Sequence, residues 1–285
     1  MFNYSIVPMK KMGRYWLIAI VVTLCALVYQ KITGPTYPAR MEVVLDGKKY
    51  KLSLPRSNDG RINCPIKLNI PDTAVQGTVF YRRYQSNEVW QTLPMTHQNN
   101  KLSVLLPNLP PAGKFEYHIK LFLKSMSTDI SAEKPVVVRY RGDVPAFILL
   151  PHVFFMFFAM LLSNLSGLLA FGKIPSFRKY TIYAFIALII GGMILGPLVQ
   201  KYSFGQLWTG IPFGKDLTDN KTLIAFAFFL LAAVGNLKKE RRYLTILAAL
   251  VLLVVFSIPH SLFGSQLNYA TGKVIQGFIS LHWIF

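Results

Sequence analysis

Residues 144 to 172 read VPAFILLPHVFFMFFAMLLSNLSGLLAFG, and these 29 residues include no Asp, Glu, Lys or Arg. A helix rises about 1.5 Å per residue, so it needs roughly 20 apolar residues to cross a hydrocarbon core of about 30 Å. The segment is long enough to cross a membrane as one helix. It therefore indicates an integral membrane protein.

Four other segments of the chain are also free of charged residues. They are residues 15–30, 180–200, 222–237 and 243–272. Those of 21 and 30 residues are long enough to span, and the two of 16 residues can be extended by flanking Lys and Arg side chains that reach the headgroups. We predict five spans, namely an N-terminal anchor and a membrane α-helical bundle of four.

The first span could instead be a cleaved secretory signal, because Lys10, Lys11 and Arg14 precede an apolar run. However, Lys31 and Ile32 stand where a cleavage site would need small residues. An uncleaved anchor is therefore the preferred interpretation.

Lys and Arg are concentrated in three short segments, residues 10–14, 173–179 and 238–242. Short basic segments stay in the cytoplasm. With five spans, this places the N-terminus inside and residues 37–143, the 201–221 loop and the C-terminus outside, as in a bacterial inner membrane. Much of the formal charge of +19 reflects this topology, so it does not indicate a nucleic-acid partner.

Between the first two spans, residues 37–143 change to short alternating runs such as MEVVLDGKKYKLSL and KFEYHIKLFL. Asp46-Gly47 lies between two such runs and predicts a hairpin. About seven strands in this length predict an all-β sandwich. The segment LLPNLPPAGKFEYHIKL resembles the late strands of fibronectin type III and other immunoglobulin-like domains, and the resemblance implies an inward-facing Tyr117.

The expected domain boundaries follow from these segments. They are 1–36 for the cytoplasmic tail and anchor, 37–143 for the β-sandwich, 144–266 for the bundle and 267–285 for an outer tail. Cys25 and Cys64 fall in different domains, which predicts two buried thiols rather than a disulfide.

The outer end of the bundle is the most promising place for a functional site. His152 and His260 each follow a proline, and the predicted topology puts both at this end with His282. The long 201–221 loop joins them there, and loops of this length tend to be functional.

Within that loop, the residue types suggest two roles. The aromatic residues Phe204, Trp208 and Phe213 could form an apolar platform at the membrane surface. Asp216, Asp219, Asn220 and Lys221 could cap the following helix, with Asp219 as the N-cap.

The segment FGQLWTGIPFGKDLTDNKTLIAF resembles the tryptophan-rich external loop of the haem-handling cytochrome c assembly membrane proteins. In that family, Gly and Trp residues precede an acidic run that leads into a helix, and two flanking histidines bind the haem iron. IPHSLFGS is similar to the context of the later histidine. Over residues 203–266, the resemblance implies His152 and His260 as iron ligands and Trp208 as the platform, with Phe213 and Asp216 beside it.

The residues themselves also permit this site, since two imidazoles at one membrane level can be the axial ligands of haem b. An alternative is that each histidine only makes hydrogen bonds at a helix end. Copper is a weaker variant, because Met156 and Met160 share a helix face with His152 but stand among phenylalanines that favour packing.

Common catalytic motifs are missing from the sequence. It has no Gly-Lys-Ser/Thr phosphate loop, no His-Glu-x-x-His and no Gly-x-Ser-x-Gly. The predicted spans also offer too few polar residues for a transporter path. Two hypotheses remain: a haem-binding or cytochrome-assembly protein of the respiratory membrane, and a non-enzymatic scaffold that docks a membrane or periplasmic protein partner through its immunoglobulin-like domain.

Overall fold

The computed structural model describes residues 9–60, 62–259 and 265–275. These residues divide into two compact units. Of the described residues, the helical unit contains 9–34 and 144–259. The β unit contains residues 35–143 and 265–275.

The described part of the helical unit has six α-helices and one π-helical turn. They are α1 Met9–Thr33, α2 Ala146–Phe171, α3 Phe177–Leu188, the π-turn Ile189–Leu195, α4 Gly196–Phe204, α5 Leu217–Gly235 and α6 Arg242–Ser257. Helix α3, the π-turn and α4 follow one another without a break and together make one apolar segment from Phe177 to Phe204.

Four helical segments of the described chain are long and apolar enough to cross a membrane. They are Met12–Thr33, Ala146–Phe171, Phe177–Phe204 and Leu217–Gly235. This confirms helices at four of the five predicted spans.

The fifth predicted span is shorter than its charge-free sequence. Helix α6 has 16 residues and ends at Ser257, and Ile258 is extended with φ −69° and ψ 123°. Pro259 explains this end, because a proline disfavours helical geometry in the residue before it.

Helix α1 is packed into the helical unit by polar as well as apolar contacts. Asn164 Nδ2 of α2 donates a hydrogen bond to Thr23 Oγ1 over 2.9 Å, and Thr23 is fully buried. Gln30 Nε2 donates to the carbonyl oxygen of Phe256 in α6. These bonds connect the N-terminal helix to two other helices, so it is an integral part of this unit.

The described part of the β unit contains eleven strands between residues 39 and 141, and three of them have only three or four residues. They are β1 Ala39–Leu45, β2 Lys48–Leu54, β3 Ser57–Asp59, β4 Cys64–Leu68, β5 Gln76–Arg83, β6 Gln91–Pro94, β7 Thr96–Gln98, β8 Lys101–Leu106, β9 Lys114–Leu123, β10 Met126–Ile130 and β11 Val136–Arg141. The sequence predicts about seven strands, because the shortest strands are too short to show alternation of apolar and polar residues.

Three sheets share one hydrophobic core in the β unit. The largest has the order β3-β11-β9-β5-β6 with β10 paired to β9, the second has the order β4-β8-β7, and β1 and β2 form the hairpin predicted at Asp46-Gly47. Tyr117 is fully buried in this core as predicted, and its hydroxyl donates to the carbonyl oxygen of Pro55 over 2.8 Å. Burial raises the pKa of the Tyr117 hydroxyl well above its usual range.

Residues 265–275, assigned from sequence to the end of the bundle and the outer tail, belong to the β unit. They form a small hairpin of β12 Gln266–Leu267 and β13 Val274–Ile275. Leu267 N donates to the carbonyl oxygen of Ala112 over 3.0 Å, and the Tyr269 hydroxyl meets both the backbone N and O of Lys114. The segment is therefore anchored on the start of β9.

Lys114, beside this anchor, predicts a pH dependence of stability. Burial lowers the pKa of its amino group from 10.5 to about 7, with a further contribution from the positive charge of Arg139. Because the unfolded chain binds the proton more tightly, the free energy of unfolding should rise with pH above about 7, by a few tenths to about 1 kcal/mol per pH unit.

Thermal unfolding of the full chain between about pH 7 and pH 9 would measure this rise, and Lys114→Met should reduce it. Burial raises the pKa of the Cys64 thiol from 9.0 in the unfolded chain to about 11 in the folded protein. Above about pH 9 this thiol would lower the free energy of unfolding, so the measurement stops there. A rise of the same size in Lys114→Met would contradict the assignment.

Candidate functional site

His152 lies on α2 and contacts the π-turn of the neighbouring segment. Its Nδ1 is 2.9 Å from the carbonyl oxygen of Gly191. A carbonyl oxygen can only accept a hydrogen bond, so Nδ1 carries the proton and Nε2 keeps its lone pair. His152 is thereby held in one tautomer and one orientation.

The π-turn from Ile189 to Leu195 has a local cause. Pro197 lacks an N–H and so cannot complete a regular helical hydrogen bond at this point. The Gly196 N–H instead bonds five residues back to the Gly191 carbonyl, the same oxygen that His152 contacts. A π-turn of this kind is a feature frequent at functional sites.

The glycines of the π-turn allow close packing on both sides. A Cβ at Gly191 would come within 2.9 Å of Met156 Sδ, and one at Gly192 within 2.8 Å of the Thr222 methyl group on α5. The π-turn is therefore in contact with α2 on one side and with the first turns of α5 on the other. Met156 packs closely against both glycines.

The irregular part of the predicted 201–221 loop is shorter than expected. Helix α4 extends to Phe204 and α5 begins at Leu217, which leaves residues 205–216 as the connection. Gly205 ends α4 in the left-handed conformation with φ 85°, which glycine adopts without steric cost.

Asp219 organises this loop. Its Oδ2 accepts hydrogen bonds from Thr209 N over 2.6 Å, from Gly210 N over 3.0 Å and from Thr209 Oγ1 over 3.2 Å. Gln200 Nε2 of α4 also donates to Thr209 Oγ1 over 2.5 Å. Asp219 is 5% exposed, so this carboxylate is buried but satisfied by the loop that folds around it.

The prediction that Asp219 is the N-cap of α5 is wrong. The cap is Asp216, whose Oδ1 accepts from Thr218 N over 2.8 Å and Asp219 N over 3.1 Å. Asp216 was correctly included among the capping residues. Asp219 lies in the first helical turn, where the helix dipole also favours a negative charge.

Two of the three predicted platform residues, Trp208 and Phe213, are placed differently. Trp208 is partly buried, and its Nε1 donates to the carbonyl oxygen of Ile211 over 3.1 Å. Phe213 is 82% exposed. They do not form a common buried surface within the described chain.

Lys221, a predicted capping residue, links α5 to α6 instead. Its Nζ donates to the carbonyl oxygen of Ile258 over 2.7 Å, and the residue is 5% exposed. A cation at this position stabilises the C-terminal end of α6.

Three site residues were not singled out from sequence: Thr209, Gly210 and Gly191. A Cβ at Gly210 would come within 2.6 Å of Asp219 Cβ, so glycine is required there. The sequence signal was the Trp-Thr-Gly run whose Thr209 lies ten residues before Asp219, which could have suggested backbone donors for a carboxylate.

His260 and His282 lie outside the described residues. Among residues 9–60, 62–259 and 265–275, no group of three or more His, Cys, Asp or Glu side chains could hold a metal ion. No family model, curated protein or solved structure matches the chain.

Proposed function

We propose that this membrane protein binds haem b through His152 and His260 at the end of the helical unit that carries the 205–216 loop. The observation that carries this proposal is the hydrogen bond from His152 Nδ1 to the Gly191 carbonyl oxygen. Metal-binding histidines usually donate their second ring nitrogen to such an acceptor, which orients the ligand and raises its basicity.

The chain offers one further feature that fits such a ligand. Asp219 fixes the 205–216 loop and Asp216 caps the helix that follows it, so the loop offers a rigid boundary at the end of the bundle. Bound haem would supply one-electron redox chemistry.

The proposal includes an orientation and a partner. The N-terminus and the basic segments lie in the cytoplasm of a bacterial inner membrane, and the β unit, an immunoglobulin-like sandwich, lies outside. There it docks a membrane or periplasmic protein of cytochrome assembly or respiration. The basic segments support this orientation by their charge.

The test is an absorbance spectrum of the purified full-length protein from haem-replete cells. We expect a Soret band that is lost in His152→Ala and in His260→Ala. The matched control is His97→Ala, because His97 also bonds a backbone carbonyl, that of Val75 over 2.7 Å, but lies in the β unit. This control should keep the full band.

A colourless wild-type protein that takes up no added haem would overturn the proposal. It would favour the second hypothesis, a scaffold that docks its partner through the β unit. In that alternative, the side chain of Val89, which is 86% exposed, would belong to the docking surface.

A further inference from the structure

One end of the helical unit brings together the starts of three helices. Trp16 of α1 packs edge-to-face on Tyr180 of α3, with ring centroids 5.8 Å apart. Thr181 of α3 and Thr245 of α6 are in hydrogen-bond contact over 3.2 Å. The start of α1, the turn before α3 and the turn before α6 therefore lie at the same end, which we call the basic end.

The basic end has a large excess of positive charge. From residue 14 onward its cations are Arg14, Lys173, Arg178, Lys179, Lys238, Lys239, Arg241 and Arg242. The same segments contain one acid, Glu240, which pairs with Arg242 over 2.7 Å. Such a surface attracts anions.

Three polar atoms at this end are buried and have no hydrogen-bond partner within the described chain. They are Ser176 Oγ, Arg178 Nε and Arg242 Nε. Buried polar groups are nearly always satisfied, so a cluster of unsatisfied donors points to a missing acceptor. A guanidinium matches a phosphate group best, because it donates two parallel hydrogen bonds.

Helical periodicity places the two arginines on the helix faces that meet at the contact between the two threonines. Arg178 precedes Thr181 by three residues on α3, and Arg242 precedes Thr245 by three residues on α6. Residues three apart lie on the same helix face. Each arginine is thus one helical turn closer to the start of its helix than the threonine contact, and so lies nearer to the basic end.

The surrounding residue types identify the source of the phosphate. Tyr180 packs on Tyr183 with ring centroids 6.4 Å apart, and Lys179 Nζ lies 5.5 Å from the centre of the Tyr183 ring. Trp and Tyr next to Lys and Arg at the end of a spanning helix are typical of the lipid headgroup level.

We propose that the basic end holds the phosphate of an anionic phospholipid between Arg178 and Arg242, with Ser176 as an additional donor. Neither α3 nor α6 has an acidic residue in its first turn or a side-chain hydrogen bond at its N-cap. Glu240 accepts from one terminal nitrogen of Arg242, which leaves Arg242 Nε to donate to the phosphate. This site is independent of the haem proposal, because His152 lies outside it.

The test measures retention of phosphatidylglycerol by the full-length protein, by native mass spectrometry after reconstitution in mixed phosphatidylcholine and phosphatidylglycerol vesicles. We expect Arg178→Gln and Arg242→Gln each to weaken retention roughly tenfold, since each removes charge-assisted hydrogen bonds to the phosphate. The matched control is Lys239→Gln, which removes one exposed charge from the same end and should weaken retention about twofold or less.

Thermal unfolding provides a second readout. Phosphatidylglycerol should raise the melting temperature of the wild type and of Lys239→Gln, but not that of the two arginine variants, and all four proteins should melt alike in phosphatidylcholine. Equal weakening in all three variants would overturn the site in favour of diffuse charge attraction. Displacement of the lipid by excess inorganic phosphate would overturn the assignment to a lipid headgroup.

Discussion

Replacement of Asp219 by alanine is expected to lower the free energy of unfolding of the helical unit by roughly 3 kcal/mol or more. The carboxylate accepts hydrogen bonds from Thr209 N, Thr209 Oγ1 and Gly210 N, and Asp219, Thr209 and Gly210 are all buried. Removal of Asp219 leaves these donors without their acceptor, and each buried unsatisfied donor costs about 1–3 kcal/mol.

Thermal unfolding of the purified protein would measure this loss, with Asp216→Ala as the matched control. Asp216 is also an aspartate at the start of α5, but it only caps the helix, so its removal should cost about 1 kcal/mol. Asp219→Asn keeps an acceptor oxygen and should fall between the two. If Asp216→Ala is the more damaging substitution, the role assigned to Asp219 is incorrect.

Asn236→Leu is the second substitution with a large expected effect, about 2–3 kcal/mol. Asn236 is 4% exposed and closes the turn between α5 and α6. Its Oδ1 accepts from Arg241 N over 2.7 Å, and its Nδ2 donates to the Ala232 carbonyl oxygen over 2.8 Å. Leucine has a similar volume, so the loss would come from the hydrogen bonds and from the unpaired Arg241 N–H.

The control for Asn236→Leu is Lys239→Ala in the same turn, which changes an exposed side chain and should stay within about 0.5 kcal/mol of wild type. Denaturation of the detergent-solubilised protein measures both. A loss of similar size in both variants would show that the turn itself, rather than the Asn236 hydrogen bonds, is sensitive to substitution.

The apolar helices were predictable because their signal is local. A charge-free run of the required length is visible in residues 144–172 without knowledge of any neighbour, and the structure has a helix there from Ala146 to Phe171. The hairpin at Asp46-Gly47 was predictable for the same reason, since its turn chemistry and both strands are contiguous.

Sequence patterns were less reliable where two distant segments share one group. Asp216 and Asp219 have the same chemistry three residues apart, and only the fold of the Thr209-Gly210 backbone around Asp219 decides which of them caps α5. The end of α6 at Ser257 was missed because hydropathy ignores the conformational effect of Pro259.

By itself, then, the sequence determined that this chain has membrane-length apolar helices and a separate β-rich segment, because burial of apolar side chains and turn formation depend on residues close together in the chain. Only the tertiary structure decided the hydrogen-bond acceptor of His152, the loop donors that surround Asp219, the docking of residues 265–275 on the start of β9 and the contact between Thr181 and Thr245. Each of these depends on a hydrogen bond or a contact between segments far apart in sequence, and no local pattern encodes which segments will meet.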